Sequence, residues 1–265
     1  ISIIIPVYNE QDSIKSLIEQ LIVLQQDIQG KIIEIIFIDD GSNDDTNQII
    51  NTEQPNQPNM KIISLARNFG QTVAISAGID NADGEVLITM DADLQNDPSD
   101  IPTLLKKLED GYDVVSGWRK KRNDKYFSRI LPSKIANWII SKISGIHLHD
   151  YGCTLKAYRK EILEGVKLYG EMHRFIPIYV AWQGGRVTEI TVKHHHRKFG
   201  KSKYGISRTV SVIADLIFLK FMEKQFAHPI HLFGGFALMN YCFSILSFLF
   251  MIYFKYWGGK SFIQT

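Results

Sequence analysis

The segment VLITMDADLQ, residues 86–95, is an apolar run that changes abruptly into acidic and amide side chains. Its first five residues are apolar or β-branched, a composition typical of a buried strand. Asp91, Asp93 and Gln95 follow, and residues at i, i+2 and i+4 of an extended chain point to the same side. We therefore expect three oxygen donors to converge at the carboxyl end of a strand, where open α/β folds bind ligands.

Oxygen donors of this kind suit a hard divalent cation. Mg²⁺ and Mn²⁺ prefer carboxylate and amide oxygens and usually bind substrate phosphates as well. A lone Asp-x-Asp pair more often marks a solvated loop, so its position after an apolar strand is what favours a metal site. The sequence thus predicts Mg²⁺ or Mn²⁺ as the cofactor, with Asp91, Asp93 and Gln95 as ligands.

Strand and helix signals alternate in the same way from residue 1 to about residue 117. Short β-branched runs separated by stretches of helical period predict an α/β fold, a sheet covered by helices. The predicted strands are Ser2–Val7, Ile32–Asp39, Lys61–Ser64, Val86–Met90, Asp113–Ser116 and Val187–Val192. Predicted helices begin near Asp12, Thr46, Gln71 and Ile101, with another inside Ser128–Ser144.

The composition limits the class of protein. A chain of 265 residues, 45% hydrophobic and 22% charged, can bury the core of one α/β domain and still supply another segment. A formal charge of +2 gives no argument for a nucleic-acid partner. Cys153 and Cys242 form neither a disulfide framework nor a zinc spacing, which suits a reducing, cytoplasmic location.

Residues 230–254 contain no charged side chain. As a helix rising about 1.5 Å per residue they would span about 37 Å, enough to cross a bilayer. The alternative is a buried helix of a soluble domain. Residues 206–226 are amphipathic, which predicts a helix at a membrane surface or, alternatively, a core helix. Because lysine and arginine are dense before the apolar run and sparse after it, the globular domain is expected to face the cytoplasm.

Two other predicted strands also end in polar signals, Tyr8-Asn9-Glu10 and Asp39-Asp40-Gly41-Ser42. Ordinary helix capping is the alternative for the acidic residues nearby. Asp40 differs, because a carboxylate before glycine at a strand end can accept hydrogen bonds from a ribose or a base.

Six short segments together resemble a known family. PVYNE at residues 6–10, DDGS at 39–42 and DADLQ at 91–95 resemble glycosyltransferase family two, whose fold is called GT-A. The polyprenyl-phosphate branch of that family, which includes dolichol-phosphate mannose synthases and bactoprenol glucosyltransferases, is similar in DYGC at 150–153, EMHRF at 171–175 and RKFGKSKY at 197–204. The resemblance covers nearly the whole chain.

The resemblance implies a role for individual residues. The nucleotide-sugar would be bound by Pro6, Tyr8, Glu10, Asp40 and Asp91, and the metal by Asp91, Asp93 and Gln95. The acceptor phosphate would be bound by Arg119, Ser133, Arg197 and Lys203, with Arg129 as a further candidate. The catalytic candidates are Asp150, Asp93 and Arg119.

An acceptor phosphate is largely anionic near neutral pH, so it can attack the anomeric carbon without a strong protein base. Catalysis must then stabilise the departing nucleoside diphosphate, through the metal and Arg119, and hold two anions in line. Asp150 is either a base or a group that orients the acceptor and the basic residues; a structural aspartate beside Gly152 is the alternative. The resemblance implies inversion at the anomeric carbon.

The expected organisation follows from the apolar run and the resemblance. A cytoplasmic GT-A catalytic domain is predicted for residues 1–205, amphipathic juxtamembrane helices for 206–228, a transmembrane helix for 229–256 and the start of an extracytoplasmic loop for 257–265. The expected location is the inner (plasma) membrane, with multiple spans in the full-length protein. The basic residues around Arg197 precede the juxtamembrane region, where they would bind a lipid phosphate or simply anionic headgroups.

The expected reaction is transfer of glucose from UDP-glucose to undecaprenyl phosphate, by similarity to bactoprenol glucosyltransferases. The alternatives are GDP-mannose or another UDP-sugar as donor. A processive polysaccharide synthase would carry Gln-x-x-Arg-Trp, whereas residues 183–187 lack the tryptophan. A membrane-tethered scaffold with a degenerate fold is the non-enzymatic alternative. The expected partners are the donor, the polyprenyl phosphate and the lipid membrane, with no nucleic acid and with a homo-oligomer as an open possibility.

Overall fold

The structure, a computed structural model, describes residues 1–28, 33–120, 131–196, 212, 214–221 and 229–257. It contains two units, Ile1–Leu216 and Ile217–Thr265. The first unit holds the sheet and the candidate site. The second holds the long apolar helix.

The described part of the first unit forms a mixed sheet of seven strands in the order β3-β2-β1-β4-β6-β5-β7. The strands are β1 (Ser2–Val7), β2 (Glu34–Asp39), β3 (Met60–Ser64), β4 (Val86–Thr89), β5 (Val114–Trp118), β6 (Lys156–Arg159) and β7 (Val187–Thr191). Parallel pairs join β1 to β2 and β4, β2 to β3, and β5 to β7. Strand β6 lies between β4 and β5 and is antiparallel to both.

Helices connect the strands and cover the sheet. They are α1 (Gln11–Asp27), α2 (Thr46–Glu53), α3 (Gln71–Asp80), α4 (Ile101–Glu109), α5 (Leu131–Ser144), α6 (Ile176–Trp182), α7 (residues 214–221) and α8 (Pro229–Tyr256). A 3₁₀ turn, Met172–Arg174, precedes α6.

The core lies on both faces of the sheet. Ile3, Ile4 and Ile5 are successive residues of β1, and all three are fully buried, so side chains on each face of this central strand are covered. In α1 the buried residues recur at helical spacing and form one apolar face. They are Ile14, Leu17, Ile18, Leu21 and Leu24. The continuous apolar runs of the sequence therefore correspond to strands covered on both sides.

The direction of β6 determines what meets at the candidate site. Parallel strands β1, β2, β4 and β5 end at one edge of the sheet, and antiparallel β6 begins at that same edge. Residues just before β6 therefore lie beside residues just after β4 and β5. Loops after β1, β2, β4 and β5 and the segment before β6 consequently gather at one edge, which is the binding edge of open α/β sheets.

The predicted strands agree with the observed ones within two residues at each described end, and the α/β fold class is confirmed. Strand β6 and helix α6 were not among the predicted elements. Only four residues long, β6 begins with a buried lysine, so it lacks the apolar run that marks its neighbours. Its strand character comes from pairing with β4 and β5.

In the second unit, residues Phe233–Tyr256 of α8 are long and apolar enough to cross a membrane. Within these 24 residues an 18-residue window has a mean hydropathy of 1.8, and none of that window is buried. A fully buried helix of a soluble domain is therefore not what the structure contains. Most of the predicted amphipathic region, residues 206–228, lies outside the described residues, although residues 214–221 are helical. The predicted domain boundaries stay predictions.

Candidate active site

The loop after β4 places Asp91 between two side chains that sequence reasoning did not single out. One carboxylate oxygen accepts a hydrogen bond from Gln71 Nε2 at 2.7 Å, and the other accepts one from the Thr154 hydroxyl at 2.7 Å. Thr154 also accepts a bond from Asn96 Nδ2 at 3.0 Å. Gln71 begins α3 and Thr154 lies two residues before β6, so two segments distant in sequence orient this one carboxylate.

The expected extended conformation of Asp91, Asp93 and Gln95 is wrong. Leu94 has φ of +60°, so the chain turns between Asp93 and Gln95 and the alternation of an extended strand does not apply. Gln95 Nε2 lies 3.4 Å from His194 Nε2 and 3.4 Å from the carbonyl oxygen of His195. The amide nitrogen of Gln95 is therefore turned toward the segment after β7.

Asp91 and Asp93 form an acidic pair that suits a cation. Burial first, and then the negative charge of Asp93, raise the pKa of Asp91 to about 6. Two neighbouring carboxylates disfavour each other's charge, and a divalent cation between them removes that cost. The described residues contain no group of three or more His, Cys, Asp or Glu side chains placed to hold a metal. A metal here would consequently use two carboxylates together with substrate oxygens or water, as Mg²⁺ sites commonly do.

Arg119 and Asp150 form a nearly buried ion pair close to the acidic pair. Arg119 Nε donates to Asp150 Oδ2 at 2.7 Å, and Nη2 donates to Oδ1 at 2.9 Å. The backbone N–H of Gly152 also donates to Oδ1, at 3.1 Å. Burial disfavours the charge of Arg119, but the charge and hydrogen bonds of Asp150 outweigh it and raise the arginine pKa. Arg119 is therefore a permanent cation with its direction set by Asp150.

Lys156, the first residue of β6, is buried next to the loop Asp150–Thr154. Its Nζ donates to the backbone carbonyl oxygens of Tyr151 and Cys153. Burial lowers the pKa of Lys156 to about 8 and raises the pKa of the nearby Cys153 thiol to about 11. The ammonium group of Lys156 thus anchors the backbone of the Asp150–Thr154 loop.

Lys156→Met is expected to remove a pH dependence of stability. The pKa of Lys156 is lower in the folded chain than the value of about 10.4 in the unfolded chain, so the unfolded chain binds the proton more tightly below pH 10. The lysine's unfavourable contribution is fully present below its folded pKa and shrinks as pH rises from about 8 toward 10.4. The unfolding free energy of the parent, minus that of the variant, should rise by about 1 kcal/mol between pH 7 and pH 9.

Urea unfolding at both pH values, followed by tryptophan fluorescence, measures this difference. Exposed Lys167 provides the matched control variant, Lys167→Met. Removing the Lys156 charge raises the pKa of the Cys153 thiol further above about 11, so this thiol stays protonated in the folded parent and variant up to pH 9 and its contribution cancels. A difference that stays constant between pH 7 and pH 9 would contradict the assigned burial of the ammonium group.

The loops after β1 and β2 are hydrogen-bonded to each other. Asn9, which has φ of +53°, donates its N–H to the Ser42 hydroxyl and accepts from the N–H of Asn43. The N–H of Glu10 donates to the Thr46 hydroxyl at 2.8 Å, and its carboxylate accepts from the Ser13 hydroxyl at 3.0 Å. The carboxylate of Glu10 thus already serves the first turn of α1, and its predicted contact with a nucleotide stays a prediction.

Asp40 holds the loop that precedes α3. Its two carboxylate oxygens accept from the N–H groups of Phe69, at 2.7 Å, and Gly70, at 2.9 Å. Gly41 beside it has φ of +74°, and a Cβ there would lie 2.7 Å from the carbonyl carbon of Arg67. Only glycine fits this close backbone approach. Asp40 therefore has a structural duty in addition to the predicted contact with ribose or base.

Of the predicted acceptor residues, Arg119 and Ser133 line the same cavity of about 800 Å³. It lies between the end of β5, the described part of α5 and the loop before Asp150, and Trp118 and Trp138 contribute to its wall. Lys120, Lys134 and Lys142 also line it, so the cavity combines aromatic surface with positive charge. Arg129, Arg197 and Lys203 lie outside the described residues.

The structure therefore brings Asp91, Asp93, Arg119 and Asp150 together at one edge of the sheet. Pro6, Tyr8, Glu10 and Asp40 lie at the ends of β1 and β2 on that edge. Sequence reasoning missed the orienting residues Gln71 and Thr154. Neither has a local signal, because a glutamine at a helix start and a threonine in a loop are ordinary choices at those positions.

A mixed α/β sheet with an acidic pair after a central strand, an oriented arginine and an adjoining cavity is the arrangement expected of a group-transferring enzyme. The model of glycosyl transferase family 2 matches residues 2–166. The chain belongs to this family.

Two relatives that are named for their activity match almost the full chain. Dodecaprenyl-phosphate galacturonate synthase of Rhizobium johnstonii is 44% identical over 98% of this chain and 78% of the relative. Undecaprenyl-phosphate 4-deoxy-4-formamido-L-arabinose transferase of Yersinia pestis is 40% identical over 98% of this chain and 79% of the relative. The protein is accordingly a glycosyltransferase that uses polyprenyl-phosphate acceptors, and the scaffold alternative is set aside.

Solved structures confirm the GT-A-like fold. Glucosyl-3-phosphoglycerate synthase from Mycobacterium tuberculosis, in complex with Mn²⁺, UDP and glucosyl-3-phosphoglycerate, superposes with a TM-score of 0.62 at 16% identity. The match covers 83% of this chain and 78% of that structure. Mannosyltransferase PcManGT from Pyrobaculum calidifontis, in complex with GDP-Man and Mn²⁺, gives 0.57 at 18% identity, covering 89% of this chain and 79% of that structure.

Proposed function

We propose that the protein transfers a sugar from a nucleoside diphosphate to a polyprenyl phosphate in one metal-dependent displacement that inverts the anomeric carbon. The observation that carries this proposal is the meeting of the Asp91 and Asp93 carboxylates with the Arg119–Asp150 pair at one sheet edge. The acidic pair suits a cation on the donor side, and the arginine suits an anion on the acceptor side. The donor diphosphate and the acceptor phosphate would thus each face groups of complementary charge.

Asp91 and Asp93 would hold Mg²⁺ or Mn²⁺, with Gln95 as a third candidate through its amide oxygen. When bound, the metal supplies positive charge against the departing diphosphate. The protein's own part is to fix the direction of Asp91 through Gln71 and Thr154. That fixed direction limits the reorganisation needed when charge develops on the leaving group.

Asp150 is proposed to orient Arg119. Both of its oxygens already accept hydrogen bonds from the guanidinium, and one also accepts from Gly152. A general base needs a lone pair directed at the proton that it removes, and a phosphate nucleophile has little need of one. The geometry therefore favours the orienting role over the base.

The acceptor phosphate is proposed to approach Arg119 from the cavity that Ser133 and Trp118 line. Arg129, Arg197 and Lys203 stay candidates for the same phosphate. On the other side of the site, Pro6, Tyr8, Glu10 and Asp40 are proposed to contact the nucleotide. Two lone pairs of the Asp40 carboxylate serve the Phe69 and Gly70 amides, so a donor contact would use the remaining ones.

The sugar is the least determined part of the reaction. Glucose was the expectation, but the two relatives named above transfer galacturonate and 4-deoxy-4-formamido-L-arabinose, and neither name supports glucose. We propose galacturonate as the first candidate, because that relative has the higher identity and the site has permanent positive charge that suits a carboxylate. The formamido-arabinose is the second candidate.

Helix α8 is proposed to anchor the enzyme in the inner membrane, with the sheet domain on the cytoplasmic side. Its exposed apolar surface would face lipid, and the excess of lysine and arginine before the helix favours this orientation. Further spans in a longer protein stay an expectation. Anchoring would keep the cavity near the phosphate of an acceptor that is itself embedded in the bilayer.

Transfer assays with labelled donors test this proposal. UDP-galacturonate, UDP-4-deoxy-4-formamido-L-arabinose, UDP-glucose and GDP-mannose are each supplied with undecaprenyl phosphate or dodecaprenyl phosphate, with Mn²⁺, Mg²⁺ or EDTA. Metal-dependent labelling of the lipid from one donor supports the reaction and selects the sugar. Labelling that is equal with EDTA overturns the metal role, and labelling from glucose alone overturns the choice of galacturonate.

A further inference from the structure

A second arginine, Arg174, has its guanidinium beside the Asp150–Thr154 loop, close to that of Arg119. It is the last residue of the 3₁₀ turn Met172–Arg174. Its Nε donates to the Glu171 carboxylate at 3.1 Å, and about a quarter of its side chain is exposed. The guanidinium is therefore held in direction while part of it reaches solvent.

Arg174 and Arg119 converge on the same face of Gly152. A Cβ built on Gly152 would lie 3.3 Å from Nη2 of Arg119 and 3.4 Å from Nη1 of Arg174. Two guanidinium groups thus approach the same point beside Gly152, and the Asp150 Oδ1 atom lies 3.5 Å from that point.

Such an arrangement has a clear electrostatic consequence. Two like charges brought together in a partly buried site repel, and the carboxylates of Asp150 and Glu171 offset part of that repulsion. An oxyanion placed against both guanidiniums would be attracted by the pair and would relieve their repulsion. Arginine is suited to this because its planar fork matches phosphate and carboxylate oxygens.

The turn that carries Arg174 is fixed on two sides. The N–H of Glu171 donates to the Asp215 carboxylate at 2.8 Å. On the other side, the Thr72 hydroxyl donates to the carbonyl oxygen of Gly170 and also contacts His173 Nδ1. Thr72 follows Gln71, the residue that orients Asp91, so the start of α3 positions both the acidic pair and the Arg174 turn. These contacts hold the turn in place before any ligand binds, and such preorganisation is what an anion-binding group needs.

We propose that Arg174 and Arg119 together form a two-arginine site beside Gly152 that binds an oxyanion of the reacting substrates. The inference rests on the proposed function and adds to it a second charged group at the reacting centre. The oxyanion belongs to the acceptor phosphate, the donor diphosphate or a carboxylate on the donor sugar. The shared chemistry is bidentate recognition by guanidinium, and the assay below separates the three sources.

Arg174→Gln and Arg174→Lys in the full chain test the proposal, with Arg186→Gln as the matched control. Arg186 precedes β7 at the opposite edge of the sheet and lies over the Tyr112 ring, away from the site. We expect Arg174→Gln to lower kcat/KM for transfer by about 100-fold, the typical loss when one charged oxyanion donor is removed. Arg174→Lys should recover part of the loss because it restores charge without the fork. The control should stay within about 3-fold of the parent, as expected of an exposed side chain outside the site.

The source of the oxyanion follows from which constant changes in Arg174→Gln. A raised KM for the polyprenyl phosphate with unchanged UDP affinity assigns the acceptor phosphate. Weaker UDP binding by isothermal titration calorimetry assigns the donor diphosphate. A loss confined to the galacturonate donor, compared with a neutral-sugar donor, assigns the sugar carboxylate. Each of these outcomes supports the two-arginine site.

A structural role for Arg174 predicts a different pattern. Thermal unfolding would then shift in Arg174→Gln and Glu171→Gln alike, while the kinetic constants of the folded Arg174→Lys variant would equal those of the parent. That pattern overturns the proposal, as does a kcat/KM for Arg174→Gln equal to that of the control. If the parent itself transfers no sugar, the proposed function fails. The two-arginine site is then tested by itself, by titrating the parent and the Arg174 variants with UDP and with inorganic phosphate. Equal affinities of parent and variants for both ligands overturn the site.

Discussion

Asp93→Ala is expected to abolish nearly all sugar transfer, with kcat/KM reduced by about 10³-fold or more. The carboxylate is buried beside Asp91 at the carboxyl end of β4, where the proposed metal neutralises the leaving diphosphate. Loss of a metal ligand removes several kcal/mol of charge stabilisation in the transition state, and each 1.4 kcal/mol corresponds to about tenfold in rate. Steady-state assays with the donor selected above measure the effect.

The matched control for this variant is Asp110→Ala, which removes an exposed carboxylate just after α4. It should leave transfer unchanged. Asp93→Ala should also lose the dependence of the rate on Mn²⁺ concentration that the parent shows. Activity within tenfold of the parent, at saturating Mn²⁺, would remove Asp93 from the metal site.

Asp150→Ala is expected to damage both folding and transfer. The variant leaves the nearly buried Arg119 charge without its bidentate partner, and breaking a buried pair in this way typically costs about 3–5 kcal/mol of unfolding free energy. It also removes the acceptor of the Gly152 N–H, so the loop that carries Thr154 loses an anchor. Transfer should fall by about 100-fold or more in the folded fraction, as when one oxyanion donor is misdirected.

A double variant separates these two effects. Arg119→Met combined with Asp150→Leu replaces the pair by apolar groups, which commonly restores or exceeds the parent's stability. We expect its unfolding free energy to return close to the parent's value while transfer stays lost. An unfolding free energy for Asp150→Ala equal to that of the parent would contradict the buried pair.

Asp150→Asn distinguishes the orienting role from the base. The amide keeps one oxygen for the guanidinium, so an orienting residue predicts a moderate loss with an unchanged pH profile. A general base predicts that the acidic limb of the pH profile disappears. The bidentate contact with Arg119 favours the first result.

Much of the candidate site was accessible from local sequence patterns. Asp91, Asp93 and Asp40 each follow an apolar run, and a polar residue directly after a parallel strand lies at the binding edge whatever the details of the fold. Arg119 and Asp150 were identified only through family resemblance. Their pairing across 31 residues of sequence is a contact that no short pattern encodes.

One prediction about the site was wrong because of the backbone conformation. The expected alignment of Asp91, Asp93 and Gln95 assumed an extended chain, whereas Leu94 adopts positive φ. A leucine carries no signal for that conformation, because local sterics disfavour it and only the surrounding fold can impose it.

The sequence by itself determined the α/β class, the parallel strands β1 to β5, the acidic pair and the apolar helix α8. These features depend on the spacing of hydrophobic residues and on polar residues at strand ends, and both are properties of short stretches of sequence. The tertiary structure alone decided that β6 inserts antiparallel between β4 and β5. That insertion brings Thr154 to Asp91 across 63 residues and places Gly152 next to the guanidiniums of Arg119 and Arg174. The physical reason is that a short strand with little apolar signal gains its stability from its two neighbours, so its place depends on the assembled sheet.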